Sequence, residues 1–224
     1  MSARVIRRIE RPSPELVKAA ASYGVATLHE AAQRRGLMVD IHPVVPGLHA
    51  CGPAVTSLNH PGDNLMLHAA VEVCEPGDVL VVATMSRSTD GMFGELLATQ
   101  CRAQGIAGVI LDAGARDRRD LIAMKYPVWS RAISAAGTVK ATPGWVNVPV
   151  VCGGATVTPG DLVVADDDGV TVIPRAEVAA VVEAAKLREE KEARNRVRLE
   201  AGELSLEVNN LRPLLERLGV TYES

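Results

Sequence analysis

Two short apolar segments constrain the fold more than any other feature of the chain. Residues 79–83 have the sequence Val-Leu-Val-Val-Ala, and residues 108–112 have the sequence Gly-Val-Ile-Leu-Asp between Gly105 and Gly114. Strands that are apolar at consecutive positions are buried on both faces, which is typical of parallel strands covered by helices. Residues 94–104, between them, have the spacing of an amphipathic helix. The pattern predicts an α/β fold, in which ligand sites collect where such strands end.

The remaining elements follow from caps, periodicity and turn residues. Ser13 predicts the N-cap of a helix over residues 13–23, and Asp168-Gly169 predicts a β-hairpin. Pro-Gly-Asp precedes an apolar strand twice, at 76–78 and 159–161, which indicates either two sheet layers or one common turn used twice. Further helices are predicted over residues 25–35, 63–74, 117–124 and 177–199, and further strands over 52–57, 128–132, 148–152, 162–165 and 170–173.

The C-terminal part of the chain differs in character from the rest. The helix predicted over 177–199 is apolar in its first half and charged in its second half, and the tail at 202–224 is again rich in leucine. A charged helix half is typical of a solvated face with i,i+4 ion pairs. An apolar tail after it predicts packing on a neighbouring subunit. We therefore divide the chain into a core over 1–175 and a C-terminal helix and tail over 176–224.

Composition excludes several classes of function. The 224 residues carry a net charge of −3, so neither nucleic acid nor an anionic membrane surface is an expected partner. Aromatic residues make up only 3% of the chain, too few for base-stacking platforms. The four cysteines have no CxxC spacing, as in buried thiols of a reducing compartment. No signal peptide and no apolar run near the roughly 18 residues of a membrane span are found, which predicts a cytoplasmic protein.

Arg116 and Asp117 follow the second apolar strand and are the first candidates for a functional site. A guanidinium can grip a carboxylate through two parallel hydrogen bonds, and a carboxylate is a hard ligand suited to Mg²⁺ or Mn²⁺. Each residue also has a purely structural alternative. Arg116 could form an ion pair with Asp112, Asp117 or Asp120, and Asp117 could be the N-cap of the helix over 117–124. Taken alone, the pair leaves these alternatives open.

A glycine-bounded turn precedes the helix over 94–104. Gly91 and Gly94 bracket Met-Phe, and the backbone N–H groups of Glu95, Leu96 and Leu97 would be the unpaired donors of the first helical turn. Such donors can cradle a carboxylate. Glu95 itself is an ordinary first-turn residue that favours the helix dipole. The cradle, an arginine and an aspartate together indicate a site that holds a metal ion and a carboxylate substrate.

Other polar motifs favour structural roles. None of the five histidines, His29, His42, His49, His60 and His68, stands in a metal-ligand spacing, and each is expected to be structural or on the surface. The three aspartates at 166–168 could bind a cation, but the glycine after them favours the hairpin turn.

Glu95, twenty intervening residues and then Arg116-Asp117-x-x-Asp120 resemble the signature of the class II pyruvate aldolases called HMG/CHA aldolases. These enzymes act on 4-hydroxy-4-methyl-2-oxoglutarate and 4-carboxy-4-hydroxy-2-oxoadipate. The likeness covers nearly the whole chain, and the wider fold family also contains non-catalytic regulators of ribonuclease E. The segments that are similar to the second branch in particular are residues 90–99, 126–134, 137–140, 163–170 and 202–207.

The resemblance implies an αββα sandwich of the swivelling-domain type, with a long C-terminal helix and tail, assembled as trimers or as hexamers made of paired trimers. It implies sites at subunit interfaces, with Asp117 as the protein ligand of Mg²⁺ or Mn²⁺. Arg116 and the backbone of Gly94, Glu95, Leu96 and Leu97 would bind the substrate. Glu95 and an acid from the neighbouring subunit's C-terminal helix, best matched by Glu192, with Glu189 or Glu190 as alternatives, would orient the acid–base water.

The implied activity is metal-dependent aldol cleavage to pyruvate plus oxaloacetate or pyruvate, in the degradation of aromatic acids such as protocatechuate and gallate. Oxaloacetate decarboxylation follows as a side activity, because both reactions stabilise an enolate. Arg131 and Lys140 are expected to meet the distal carboxylates. The chain departs from many family members, which have aspartate where it has Glu95. The alternatives are a ribonuclease E regulator-like binding protein and a dedicated oxaloacetate decarboxylase.

Overall fold

A computed structural model describes residues 2–223 of the chain. The helices are α1 (Pro14–Ala20), α2 (Val25–Ala31), α3 (Leu65–Val73), α4 (Glu95–Ala103), α5 (Arg118–Met124), α6 (Val178–Glu200), α7 (Ser205–Val208) and α8 (Arg212–Arg217). The strands are β1 (Arg4–Val5), β2 (Leu37–Met38), β3 (His42–Pro43), β4 (Ala50–Asn59), β5 (Val79–Thr84), β6 (Gly91–Phe93), β7 (Gly108–Ala115), β8 (Val128–Ile133), β9 (Trp145–Val146), β10 (Val150–Cys152), β11 (Ala155–Val157), β12 (Leu162–Asp166) and β13 (Gly169–Ile173).

The long strand β4 belongs to two sheets. Its first residues pair antiparallel with β12, which continues the sheet through β13 to β2. Its later residues pair parallel with β5, and β5, β7 and β8 continue the second sheet in parallel before β3 closes it antiparallel. The two strands that follow Pro-Gly-Asp, β5 and β12, therefore lie in different sheets. Of the two interpretations of that repeat, the structure supports two sheet layers.

Three apolar clusters show how the layers stack. One cluster lies between the sheets and includes Val81 and Ile110 from one sheet and Val163 and Val172 from the other. A second packs α3 and α4 on the outer face of the parallel sheet. The third packs α1, α2 and the first half of α6 on the outer face of the antiparallel sheet. The αββα sandwich with a long C-terminal helix is thereby confirmed.

Most predicted elements form close to their expected positions. Ser13 caps α1 by accepting a hydrogen bond from Leu16 N at 3.4 Å. The Asp168-Gly169 turn joins β12 and β13 as a hairpin in which Asp166 pairs with Gly169.

None of the helices within residues 2–223 is long and apolar enough to span a membrane.

The division of the chain at 175/176 and the packing of the tail on another subunit stay predictions. Val178, Val181 and Ala185 of α6 are buried within the protomer. In contrast, Leu204 and Leu218 of the tail are exposed. The first half of α6 thus completes the core, and only the later part of the C-terminal region remains free to meet another subunit.

One element that positions the site is a strand where the sequence indicates only a turn. β6 pairs with the extended end of β7, so that Gly91 lies opposite Gly114 and Phe93 opposite Ala115. Neither glycine has room for a side chain, because a Cβ would lie well under 3.0 Å from a backbone oxygen, Ser134 O at Gly91 and Thr89 O at Gly114. This close backbone approach brings the start of α4 beside the end of β7.

Candidate active site at the end of strand β7

Asp117 joins the two segments that the sequence singled out. It stands at the N-cap position of α5, with left-handed backbone angles (φ 55°, ψ 35°), and makes no side-chain cap to its own helix. Instead its Oδ2 accepts a hydrogen bond from the backbone N–H of Glu95, at 3.1 Å, at the start of α4. A non-glycine residue in this backbone region costs of order 1 kcal/mol and is typical of functional sites. Asp117 therefore stands at the N-cap position of α5, but its carboxylate does not cap that helix.

Gly94 makes this arrangement possible. Its backbone is extended (φ −150°, ψ −165°), which any residue can adopt, so its need for glycine is purely steric. A Cβ at this position would lie well under 3.0 Å from Asp117 Oδ2 and 3.0 Å from Arg116 Cγ. The side chains of Arg116 and Asp117 occupy the space that a side chain at residue 94 would need.

Arg116 is available to bind a ligand. Its Nε lies 3.5 Å from Asp117 Oδ2, and both side chains are substantially exposed, so the pair contributes little to stability. Asp112, one of the alternative partners, is occupied by Arg131 and by the backbone N–H of Gly153. Arg131 also pairs with Asp40 at 3.2 Å. The expectation that Arg131 meets a distal carboxylate does not fit the structure, because its guanidinium is already held by two carboxylates.

A cavity of about 190 Å³ opens beside Arg116 and Asp117. Gly94, Leu96 and Leu97 from the start of α4 line it on one side. The N–H of Glu95 is already used by Asp117, so the free donors expected at this helix end are those of Leu96 and Leu97. The cradle itself stays a prediction, now with Leu96 and Leu97 as its two remaining donors.

The acidic side chains expected around the site are not gathered in one protomer. Glu95 Oε1 accepts a hydrogen bond from Thr99 Oγ1 at 2.9 Å, and Glu95 lines a separate surface depression together with Asp120. Glu192 pairs with Arg188 at 2.8 Å along α6. Neither side chain lines the 190 Å³ cavity among the residues described. The roles of both as acid–base residues stay predictions, and that of Glu192 requires a second subunit.

Several polar residues that line the cavity were not predicted from the sequence to belong to the site. Asn64 and His68 lie there, one turn apart at the start of α3, together with Thr138 and Lys140. His68 was expected to be structural or on the surface, and Asn64 was not singled out. Their spacing of four residues at a helix start was the available signal, but nothing in the sequence shows that this helix faces the end of β7.

Asp63 holds the segment that carries Thr138 and Lys140. Its Oδ2 accepts hydrogen bonds from Ala141 N at 2.9 Å and Thr142 N at 2.7 Å, while its Oδ1 accepts from Leu65 N at 2.9 Å. Burial by itself raises the pKa of Asp63, but the backbone donors together outweigh it and lower the pKa below its usual value. The side chain is thus a buried, charged link between α3 and the cavity wall.

Replacing Asp63 with asparagine is expected to destabilise the fold by about 2 kcal/mol at neutral pH, because the amide cannot accept all three hydrogen bonds. The folded pKa of Asp63 is lowered, so its contribution is present above the unfolded pKa of about 3.9 and is lost as the pH falls through the folded value. Urea unfolding of both proteins should show a difference in the free energy of unfolding at neutral pH. This difference should become smaller below about pH 4. A difference in unfolding free energy that stays constant with pH would contradict this assignment. Asp168→Asn, at an exposed hairpin turn, is the control.

The residues present fit one mode of metal binding. Within residues 2–223, no three His, Cys, Asp or Glu side chains converge to form a ready-made metal cage. Asp117 instead offers one partly exposed carboxylate beside a cavity with room for water. Mg²⁺ and similar ions often bind in this way, through one or two carboxylates, several waters and the substrate. The donor set suits such an ion and does not suit a structural zinc site.

Comparison with known proteins identifies the family. The family described as RraA-like (Aldolase/RraA) matches residues 25–172, which contain both Asp117 and the whole cavity wall. The chain belongs to the RraA-like family. The resemblance to this fold family is thereby confirmed.

Three similar proteins span most of the chain. A protein of Halalkalibacterium halodurans, provisionally named a 4-hydroxy-4-methyl-2-oxoglutarate aldolase, is 35% identical over 80% of this chain and 82% of its own. RraAS2 of Streptomyces coelicolor, described as an unusual member of the RNase ES inhibitor RraA family, is 32% identical with a TM-score of 0.75, over 84% of this chain and 100% of its own. An uncharacterised Pseudomonas syringae protein is 26% identical with a TM-score of 0.78, over 90% and 100%.

Proposed function

We propose that this RraA-like protein is a divalent metal-dependent aldolase that releases pyruvate from 4-hydroxy-2-oxo acids. The observation that carries the proposal is the position of Asp117, whose carboxylate is fixed by Glu95 N–H beside Arg116 and opens on a small cavity. The provisional name of the Halalkalibacterium halodurans relative supports the same activity. A cavity of about 190 Å³ is below the ~300–1,000 Å³ of sites for drug-sized ligands, which suits a small oxo acid.

Each residue of the site has a defined task in this reaction. Arg116 and the free N–H groups of Leu96 and Leu97 bind and orient the carboxylate next to the 2-oxo group. Asp117 would hold Mg²⁺ or Mn²⁺. When bound, such an ion supplies Lewis-acid stabilisation of the negative charge that forms on the oxo acid as the carbon–carbon bond breaks. Arg116 adds its fixed positive charge to the same region.

The proposed substrates are 4-carboxy-4-hydroxy-2-oxoadipate and 4-hydroxy-4-methyl-2-oxoglutarate. Cleavage yields pyruvate together with oxaloacetate from the first substrate and with a second pyruvate from the other. The same charge stabilisation permits decarboxylation of oxaloacetate, so this side activity belongs to the proposal.

We propose further that the site is completed by a neighbouring copy in a trimer or hexamer. Leu96, at the cavity, and Ile133, in a neighbouring depression that Arg116 and Asp117 also line, are exposed apolar side chains, and so is Val139, next to Lys140 in the chain. An apolar rim of this kind suits contact with another protein surface. In such an assembly Glu192 of the adjacent α6 would supply the acid that one protomer does not bring to the cavity.

Pyruvate release is the direct test. The purified protein is given both aldol substrates and oxaloacetate, and pyruvate is followed by coupled reduction to lactate. We expect release from all three, its loss on treatment with EDTA, and its return on addition of Mg²⁺ or Mn²⁺. Trapping of a lysine adduct by borohydride would contradict the metal-dependent mechanism. Release from oxaloacetate alone would indicate a dedicated decarboxylase, and no release at all would favour a binding role like that in the description of RraAS2.

A further inference from the structure

The cavity has a polar wall that the proposed chemistry at Arg116 and Asp117 does not use. Asn64, His68 and Lys140 line it, and their side chains come from two separate segments. Asp63 fixes those segments to each other through its three backbone hydrogen bonds. Asn64 N also donates to Val139 O at 3.1 Å. The wall is therefore built in advance of any ligand.

The side chain of Asn64 has an unused acceptor. Its Nδ2 donates to Met92 O at 2.9 Å, which fixes the orientation of the amide because only the NH₂ group can face a carbonyl. Asn64 is only 6% exposed, and its buried Oδ1 has no hydrogen-bond partner in the described chain. A buried acceptor left unpaired destabilises the fold, because it has lost its hydrogen bond to water without gaining another. A ligand that brings a donor to this wall would remove that destabilisation.

His68 adds a second unpartnered atom, one helical turn further along α3. Its Nε2 is buried and has no hydrogen-bond partner in the described chain. Burial, and then the charge of Lys140, lower the pKa of His68 below its usual value, so that the ring is neutral at neutral pH. A neutral ring nitrogen can accept from or donate to a polar ligand group. Lys140, which is exposed at the cavity, supplies a positive charge beside it.

We propose that Asn64, His68 and Lys140 form the subsite for the distal end of the substrate, and that they select an end in which a hydroxyl group and a carboxylate share one carbon. The unused Asn64 Oδ1 accepts a hydrogen bond from the hydroxyl group, Lys140 pairs with the carboxylate, and His68 Nε2 forms a hydrogen bond with either group. The inference rests on the proposed function and deepens it, since it assigns recognition of the leaving half of the substrate to residues outside the Arg116-Asp117 pair.

The test separates the two ends of the substrate. Exchange of the pyruvate methyl protons with D₂O, followed by NMR, needs only the Arg116-Asp117 end, whereas cleavage of 4-hydroxy-4-methyl-2-oxoglutarate needs both ends. We expect His68→Leu and Lys140→Met each to raise KM for cleavage by about tenfold, as for loss of a ligand hydrogen bond. Pyruvate exchange should change by less than about twofold. His68→Gln, which retains a polar atom, should recover part of the loss, and His42→Leu, at an exposed edge strand, is the matched control.

A binding measurement keeps the subsite testable if the protein proves not to be an aldolase. Calorimetric titration with 2-hydroxy-2-methylsuccinate, which carries the hydroxyl and carboxylate on one carbon, should show weaker binding to His68→Leu and Lys140→Met than to the unmodified protein. Oxalate, which mimics only the pyruvate end, should bind all of them equally. Equal binding of 2-hydroxy-2-methylsuccinate to every variant, or equal losses in exchange and cleavage, would overturn the subsite. Absence of wild-type cleavage with selective loss of this binding would overturn only the aldolase.

Discussion

Replacing Asp117 with asparagine is expected to lower kcat/KM for pyruvate release by about 10³-fold while leaving the fold intact. A bound ion contributes several kcal/mol of charge stabilisation, and each ~1.4 kcal/mol corresponds to a factor of ten in rate. Asparagine tolerates the left-handed backbone of residue 117 better than most residues. Its Oδ1 can also keep the hydrogen bond from Glu95 N. The variant therefore removes the negative charge and little else.

Two measurements check this expectation. Titration with Mn²⁺, followed by its electron paramagnetic resonance signal, should show that Asp117→Asn loses the ion that the unmodified protein binds. Thermal unfolding in the presence of EDTA should give nearly equal midpoints for the two proteins. Asp168→Asn removes an aspartate from an exposed turn and should change neither property. Full metal-dependent cleavage by Asp117→Asn would show that the ion is held elsewhere.

Replacing Gly94 with alanine is expected to lower kcat/KM by about 10²-fold, the loss typical of a displacement near 1 Å at a catalytic group. The extended backbone of Gly94 accommodates alanine without strain. The added methyl group, however, would collide with Asp117 Oδ2 and press on Arg116 Cγ. Both side chains must move, so metal binding and substrate carboxylate binding should weaken together. Cleavage kinetics and Mn²⁺ titration of the same variant measure the two effects.

Gly137→Ala is the matched control for Gly94→Ala. Gly137 immediately precedes the segment that carries Thr138 and Lys140, yet a Cβ there meets nothing within 4 Å and its backbone is not left-handed. Its replacement should leave activity within about twofold of the original. If both variants lost activity equally, a general response to added side chains near the cavity would replace the steric explanation.

The parallel strands and the helices around them could be predicted because their signals are local. Residues 79–83 form most of β5, residues 108–112 form the first part of β7, and Ser13 caps α1. β6 could not be predicted, because residues 91–93 form a strand only by pairing with β7 beyond Gly114. A strand was predicted over residues 52–57, within β4, but nothing local indicates that its two halves join different sheets.

The candidate site shows the same division. Arg116, Asp117 and Gly94 could be selected by residue type and by their place at strand and helix ends. The position of Arg131 could not be predicted, because its two partners, Asp112 and Asp40, lie 19 and 91 positions away along the chain. The unused atoms of Asn64 and His68 were also beyond prediction, because an unpaired atom is recognised only when all its neighbours are known.

The sequence by itself determined the α/β class and the candidate pair Arg116-Asp117, because apolar runs, glycine turns and charged residues at strand ends are properties of short segments. The family followed from the resemblance of its motifs to known aldolases. Only the tertiary structure decided what surrounds the pair. The Asp117 carboxylate accepts a hydrogen bond from Glu95 N–H rather than from α5, and Asn64, His68 and Lys140 line the same cavity. These groups come together because β6 pairs with β7 and because Asp63 accepts hydrogen bonds from the backbone of a distant segment. Contacts between distant segments follow from packing of the whole chain rather than from any local preference.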